Sequence, residues 1–340
     1  MEDYEVIDLS FTEETWKTEL ELHMKLLHYF DISRIVVFTI TAIVGIIGNG
    51  LVIWITGFKM KSVSSVWFLN LAVADFISCL FLFLYVAEWS SPILETQSLT
   101  LCLIRFFMLS LNMLTSVYFL MVISLDRCVS TMWPLWTRIH RKIKLARLIS
   151  GIIWVFCLVS GFLYEAYHLE GLFEYECIVK RYLIGSDYLE QPREKHITRI
   201  IVMFALPFTI ILVSYSLVAF KIRARKRWQK SNRPFKVILA LVICFFVCWF
   251  PFHMTSVTPN IDKTDASPWK NVLKEEICLC LAYFNSCLNP IIYVLLSSDV
   301  KGLTLRHKME SAMTAQYDLD DDEEIPNRTE RARKEDSSAL

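Results

Sequence analysis

The chain has 340 residues, 54% of them hydrophobic, and a formal net charge of zero. A soluble domain rarely exceeds about half apolar content, so this composition argues against an ordinary soluble protein. The balanced charge also gives no reason to expect a nucleic-acid partner. The apolar excess lies in seven long blocks rather than in amphipathic stripes, which predicts a membrane protein.

Each block is long enough to cross a bilayer as a helix. A hydrocarbon core of ~30 Å needs about 20 helical residues, and every backbone polar group inside it must be satisfied within the span. We therefore predict an all-α membrane protein, a seven-transmembrane helix bundle with a short amphipathic eighth helix. The predicted spans are 35–58, 66–89, 101–127, 148–167, 199–220, 236–258 and 272–296.

The segments around the spans divide the chain into four parts. We predict an acidic extracellular tail at 1–33, the bundle at 34–297, the amphipathic helix at 298–310 and a cytoplasmic tail at 311–340. The last part contains a run of acidic residues between Asp318 and Glu324, which is typical of disorder.

The distribution of Lys and Arg predicts the orientation. These residues are concentrated in the loops after spans 1, 3 and 5, which contain no Asp or Glu, whereas the alternate loops are mixed or acidic. Because positive loops stay in the cytoplasm, we expect a multi-pass plasma membrane protein with an extracellular N-terminus and a cytoplasmic C-terminus.

A cluster of polar residues is expected near the bilayer midplane. Asp75 lies in the middle of span 2, where an ionisable residue is costly and marks function by default. Its oxygens, with those of companions at similar depth, could hold a small hard cation, or the cluster could be hydrogen-bonded without an ion. The companions are Asn49, Asn112, Ser116, Asn285, Ser286 and Asn289.

Prolines are predicted to kink three of the spans. A proline inside a helix removes a hydrogen bond, and Pro207, Pro251 and Pro290 fall in spans 5, 6 and 7. Asp126 and Arg127 close span 3 at its cytoplasmic end.

Taken in chain order, these features resemble the rhodopsin-like (class A) G protein-coupled receptors over about residues 34–310. The matching landmarks fall one set per span: Asn49, Asp75, Cys102 with Asp126-Arg127, Trp154, Pro207 with Tyr215, Phe245 with Cys248-Trp249-Phe250-Pro251, and Asn289-Pro290-x-x-Tyr293.

The resemblance implies a role for each matching residue. Arg127 would be released from Asp126 on activation and would face the G protein, with Tyr215 and Tyr293 approaching it. Trp249 would sense ligand at the pocket floor. A sodium ion would be held by Asp75, Asn112, Ser116 and Asn285, and a disulfide would join Cys102 to Cys177 in the second extracellular loop.

A finer resemblance is to the chemoattractant receptors, of the complement anaphylatoxin, formyl peptide and chemerin types. It is carried by Val66–Phe76, by Ser231–Val237 and by Ala282–Pro290. In that branch, the residue at Arg199 receives a ligand carboxylate, a suitable partner for a planar guanidinium. Glu275 matches an acidic site that meets a basic ligand residue.

We therefore expect a receptor for a chemoattractant peptide or small protein, without enzymatic activity. The expected ligand contacts are Arg199, Lys195, Glu275, Arg105, Glu88, Tyr283 and Trp249. The acidic N-terminal tail would steer a basic ligand, and Tyr4 lies in a context suited to sulfation. Ser110 stands where formyl peptide receptors carry Asp, which counts against that subtype.

The expected cytoplasmic partners are an inhibitory-class heterotrimeric G protein, arrestin and a PDZ-type domain at the C-terminal Ser338-Ala339-Leu340. A ligand-scavenging, arrestin-coupled receptor without G protein signalling is the alternative, although the intact Asp126-Arg127 pair argues against it. A channel or transporter would need more charges along one path than Asp75 supplies.

Overall fold

The computed structural model describes residues 9–90, 99–169, 197, 199–224, 233–255 and 268–296. These residues form seven long helices: α1 (Leu9–Trp54), α2 (Val63–Ser90), α3 (Leu99–Met132), α4 (Ile143–Leu169), α5 (Leu206–Ala224), α6 (Arg233–Thr255) and α7 (Pro268–Leu296). A short helix, Pro134–His140, which we name the loop helix, joins α3 to α4. The predicted all-α architecture is confirmed.

Six of the long helices, α1 to α6, contain stretches long and apolar enough to cross a membrane. In α1, this stretch begins at His28 although the helix itself begins at Leu9. Residues 9–33 of the predicted tail are therefore helical and continuous with the first span. The seventh helix packs along both α1 and α6, which completes the bundle.

Helix boundaries follow from local chemistry. Ser62 and Ser65 form a reciprocal cap at the start of α2, because each side chain accepts a hydrogen bond from the other's backbone N–H, at 2.9 and 3.0 Å. Pro134 begins the loop helix, a position where its missing N–H costs nothing. Pro251 and Pro290 lie inside α6 and α7, as predicted.

The helices are held together by close approach and by polar ties rather than by apolar burial alone, since lipid is as apolar as the helix surfaces. A Cβ atom at Gly48 of α1 would lie 2.7 Å from the Pro290 ring of α7, so glycine permits this approach. Trp154 of α4 donates to the Asn70 side chain of α2 at 2.9 Å. Asn70 in turn donates to Ser150 of α4 at 3.3 Å.

Residues 1–8, 170–196 and 297–340 lie outside the described part of the chain. The predicted amphipathic helix lies there. Sulfation at Tyr4 and PDZ binding at the C-terminus also concern these residues, and all three stay predictions.

Candidate functional site

One group of predicted ligand contacts lies where α5 faces α6. Arg199 is half-buried, and its guanidinium carbon lies 5.2 Å from the centre of the Phe252 ring. Trp249, fully buried one turn along α6, meets that same ring edge-on at 5.8 Å. The Phe252 ring therefore connects the predicted carboxylate-binding cation to the predicted sensor at the pocket floor.

The backbone of the fifth span is irregular beside this group. A π-helical turn, Ile201–Ala205, precedes α5, and the Leu206 N–H donates to the Ile201 carbonyl five residues earlier. Such turns are rare and are frequently found at functional sites. The turn buries Phe204, whose ring lies 5.0 Å from His253 of α6.

His253 of α6 was not among the predicted site residues. Its side chain is fully buried, and neither ring nitrogen has a hydrogen-bond partner. A histidine inside a predicted span was the available signal, because ionisable residues at membrane depth are rare.

A second group of predicted contacts, Arg105 and Tyr283, lies on the side of the bundle formed by α1, α2, α3 and α7. The guanidinium carbon of Arg105 is 5.0 Å from the Tyr85 ring, within cation–π range. The Phe38 ring lies 5.5 Å from Tyr85 and 5.1 Å from Tyr283. One aromatic cluster therefore connects the two predicted residues.

Two polar pairs between helices were not predicted from the sequence. Arg34 of α1 forms a 2.8 Å ion pair with Glu276 of α7. Ser110 of α3 donates a 2.6 Å hydrogen bond to the carboxylate of Glu165 on α4, and both residues are buried. Glu165 lies inside predicted span 4, so the rule that identified Asp75 could have found it.

Six other predicted residues cannot be assessed in the same way. Lys195, Cys177 and Tyr4 lie outside the described residues. The remaining three are in helices, but their side chains are not described: Glu88 in α2, Cys102 in α3 and Glu275 in α7. The Cys102–Cys177 disulfide therefore stays a prediction, and the eight other cysteines carry free thiols.

The predicted midplane cluster assembles around Asp75, which is fully buried. Asn289 of α7 donates to Asp75 Oδ2 at 2.6 Å. Asn112 of α3 donates to the Ser286 hydroxyl at 3.0 Å, and Asn49 of α1 donates to the Ser286 carbonyl at 2.8 Å. Side chains from four helices thus meet at one depth.

Several oxygens of this cluster have no hydrogen-bond partner although they are buried. They are Asp75 Oδ1, Asn112 Oδ1, Ser116 Oγ and Asn49 Oδ1. Asn285, the fourth predicted ligand, is buried as well. A carboxylate with amide and hydroxyl oxygens suits a small hard cation. Among the described residues, no group of three His, Cys, Asp or Glu side chains could hold a softer metal.

At the end of α3 that is predicted to be cytoplasmic, Asp126 has a partner that the sequence did not predict. Arg141, just after the loop helix, donates to both carboxylate oxygens, from Nε at 2.9 Å and from a terminal nitrogen at 2.8 Å. That terminal nitrogen also donates to the Ser64 hydroxyl of α2 at 2.7 Å. Arg127 donates to the same hydroxyl at 3.2 Å.

The two predicted tyrosines lie near this end of the bundle and are buried. Tyr215 of α5 lies close to Ser124 of α3 and within electrostatic range of Arg127. Tyr293 of α7 instead meets the Phe68 ring of α2 edge-on at 5.5 Å. The structure therefore places Tyr215 near Ser124 of α3 and Tyr293 against α2.

Comparisons with known proteins agree with this arrangement. Residues 48–293 match the family model described as 7 transmembrane receptor (rhodopsin family). The chain is 37% identical to Chemerin-like receptor 1 of Sus scrofa, over 79% of this chain and 78% of that protein. It is 34% identical to the C3a anaphylatoxin chemotactic receptor of Oncorhynchus mykiss, over 79% and 75%.

A third relative is Formyl peptide receptor-related sequence 1 of Mus musculus, 32% identical over 83% of this chain and 84% of the relative. These proteins are receptors and not enzymes, and the apolar helices of this chain, together with its receptor relatives, indicate a multi-pass plasma membrane protein. The chain therefore belongs to the rhodopsin family of seven-transmembrane G protein-coupled receptors, in the chemoattractant receptor branch.

Proposed function

We propose that this receptor binds an extracellular chemoattractant peptide or small protein through a ligand carboxylate, and that it signals through an inhibitory-class heterotrimeric G protein. The observation that carries the proposal is the position of Arg199, half-buried and stacked on Phe252 beside the π-helical turn. A partly dry guanidinium is a strong and geometrically selective partner for a carboxylate.

The aromatic contacts suggest how ligand binding at Arg199 would change the packing of α6. The Phe252 ring lies against both Arg199 and Trp249, and Pro251 lies inside α6 between Trp249 and Phe252. A ligand shifts a two-state equilibrium only by binding one state better than the other. A carboxylate that draws Arg199 into a new position would repack Phe252 and favour one arrangement of α6.

The remaining contacts extend the same site. Arg105, on the aromatic cluster of the opposite side, would take a second acidic or polar group of the ligand. Glu275, Glu88 and Lys195 would contact the ligand from the outer loops and helix ends. The N-terminus would be extracellular and its acidic residues would attract a basic ligand, with Tyr4 as the sulfation candidate.

The experiment is a ligand panel in cells that express the receptor. Chemerin, a C3a-type anaphylatoxin and formylated peptides are applied, and suppression of cyclic AMP is measured with and without a toxin that inactivates inhibitory-class G proteins. We expect one class to suppress cyclic AMP in a toxin-sensitive manner. Silence from all three at high dose would overturn the ligand proposal, and toxin-resistant signalling would overturn the G protein class.

Arrestin and a PDZ-type domain are the further cytoplasmic partners we propose. Recruitment of arrestin to the activated receptor is measured in the same cells. Arrestin recruitment without any G protein activation would favour the scavenging function instead.

We also propose that the midplane cluster binds sodium. The unpartnered oxygens of Asp75, Asn112 and Ser116 would be its ligands, together with Asn285. The ion would supply positive charge to a carboxylate that is fully buried, where an unpaired charge is costly.

Sodium binding is tested by stability rather than by signalling. Anything that binds only the folded state stabilises it by mass action, so the melting temperature of purified receptor should rise when choline is exchanged for sodium. In Asp75→Asn, this rise should disappear. An equal rise in the variant would contradict the site.

A further inference from the structure

Asp126 is held by an arginine that lies outside the family landmarks. Arg141 contacts both carboxylate oxygens at 2.9 and 2.8 Å, which is the bidentate geometry of the strongest charge-assisted hydrogen bonds. The two side chains are 15% and 13% exposed, so water screens the pair only weakly.

The same guanidinium connects this pair to Arg127. Arg141 and Arg127 donate to one acceptor, the Ser64 hydroxyl, at 2.7 and 3.2 Å. The two cations are therefore neighbours, and the carboxylate that Arg141 binds belongs to the residue next to Arg127 in the chain. A carboxylate whose charge is already compensated attracts a second cation less strongly.

We propose that Arg141 is a positioning residue for the G protein-binding face: by binding Asp126, it lowers the free energy needed to move Arg127 away from that carboxylate. This inference rests on the G protein coupling proposed above. Arg141 competes with Arg127 for Asp126, so its presence favours the state in which Arg127 faces the cytoplasm.

The competition between Arg141 and Arg127 for Asp126 predicts the direction in which G protein binding changes when Arg141 is removed. If Arg141 is removed, Asp126 stays largely buried and Arg127 becomes its nearest cation. Because an uncompensated buried charge is costly, the receptor should shift toward the arrangement in which Asp126 retains Arg127. G protein binding should therefore weaken, whereas a restraint that merely held the receptor closed would give the opposite result.

The test measures the affinity of the receptor in lipid nanodiscs for nucleotide-free heterotrimers of the inhibitory, stimulatory, Gq and G12 classes, without agonist. The heterotrimer that binds the unmutated receptor best is then used for every variant. We expect Arg141→Gln to weaken binding about fivefold, a typical size for a coupling between sites. Arg141→Lys keeps the charge but not the planar guanidinium that binds both carboxylate oxygens. Its affinity for the heterotrimer should lie between those of the unmutated receptor and Arg141→Gln.

A double-mutant cycle separates this role from direct contact with the G protein. In an Asp126→Asn background there is no carboxylate to compete for, so Arg141→Gln should have no further effect. Arg138→Gln is the matched control, since Arg138 is an exposed cation on the loop helix. It should leave the affinity unchanged.

Each other outcome overturns the inference. Stronger binding by Arg141→Gln would reverse the sign, and an equal loss in the Asp126→Asn background would show direct contact or a folding defect. An equal loss in Arg138→Gln would assign the effect to loop charge. If no heterotrimer binds the unmutated receptor, the proposed G protein coupling fails as well. If a heterotrimer binds but Arg141→Gln leaves its affinity unchanged, only this inference is overturned.

Discussion

The ion pair between Arg34 and Glu276 should stabilise the receptor by joining α1 to α7. The two side chains are 8% and 24% exposed, and the nitrogen and oxygen are 2.8 Å apart. Removing one partner of a fully buried pair costs roughly 3–5 kcal/mol, because the other charge stays buried. Since Glu276 is about a quarter exposed, we expect about 2 kcal/mol for Glu276→Gln.

The assay is the melting temperature of the purified receptor in detergent. At about 2–4 °C for each kcal/mol, Glu276→Gln should lower it by about 5 °C. Arg34→Gln should cost a similar amount, and the double variant should cost less than the sum, because no lone charge remains.

A second ion pair on the same helix provides the control. Glu21 and Lys25 are 3.9 Å apart, with side chains 77% and 71% exposed. A pair exposed to this degree contributes almost nothing, so Glu21→Gln should leave the melting temperature unchanged. Equal shifts for Glu276→Gln and Glu21→Gln, or additive effects of the two buried substitutions, would refute the reasoning.

Two further predictions concern the packing of the bundle. Trp154→Phe removes the donor to Asn70 and should lower the free energy of unfolding by about 1 kcal/mol, which lowers the melting temperature by a few degrees. An unchanged melting temperature would contradict a stabilising hydrogen bond between α2 and α4. Gly48→Ala places a Cβ 2.7 Å from the Pro290 ring and should cost about 1–3 kcal/mol. Gly151→Ala, where a Cβ meets nothing within 4 Å, is its control, and equal losses would contradict the close approach of α1 and α7.

The spans and the midplane cluster could be predicted from the sequence because both are local signals. A bilayer demands long apolar helices, and any polar residue inside one, such as Asp75, is then conspicuous. Its meeting with Asn289 follows from their similar depths, as does that of Asn112 with Ser286, and hydrogen bonds join both pairs. Ser116 and Asn285 are buried as well.

The ion pairs could not be predicted in that way. Arg141 is one of several cations in a basic loop, and its sequence position predicts only the side of the membrane on which it lies. The bidentate contact with Asp126 depends on how the loop helix folds back against α3. Arg34 and Glu276 are 242 residues apart, so only the packing of α1 on α7 pairs them.

The central claim is that Arg199 receives a ligand carboxylate, and a cycle between receptor and ligand tests it most directly. Once one ligand class is active, its potency as the free acid and as the C-terminal amide is measured on the unmutated receptor and on Arg199→Ala. A hydrogen bond to a charged group contributes about 1.5–3 kcal/mol, so amidation should cost roughly tenfold or more in potency on the unmutated receptor. On Arg199→Ala, acid and amide should be equally weak, and an undiminished preference for the acid would contradict the account.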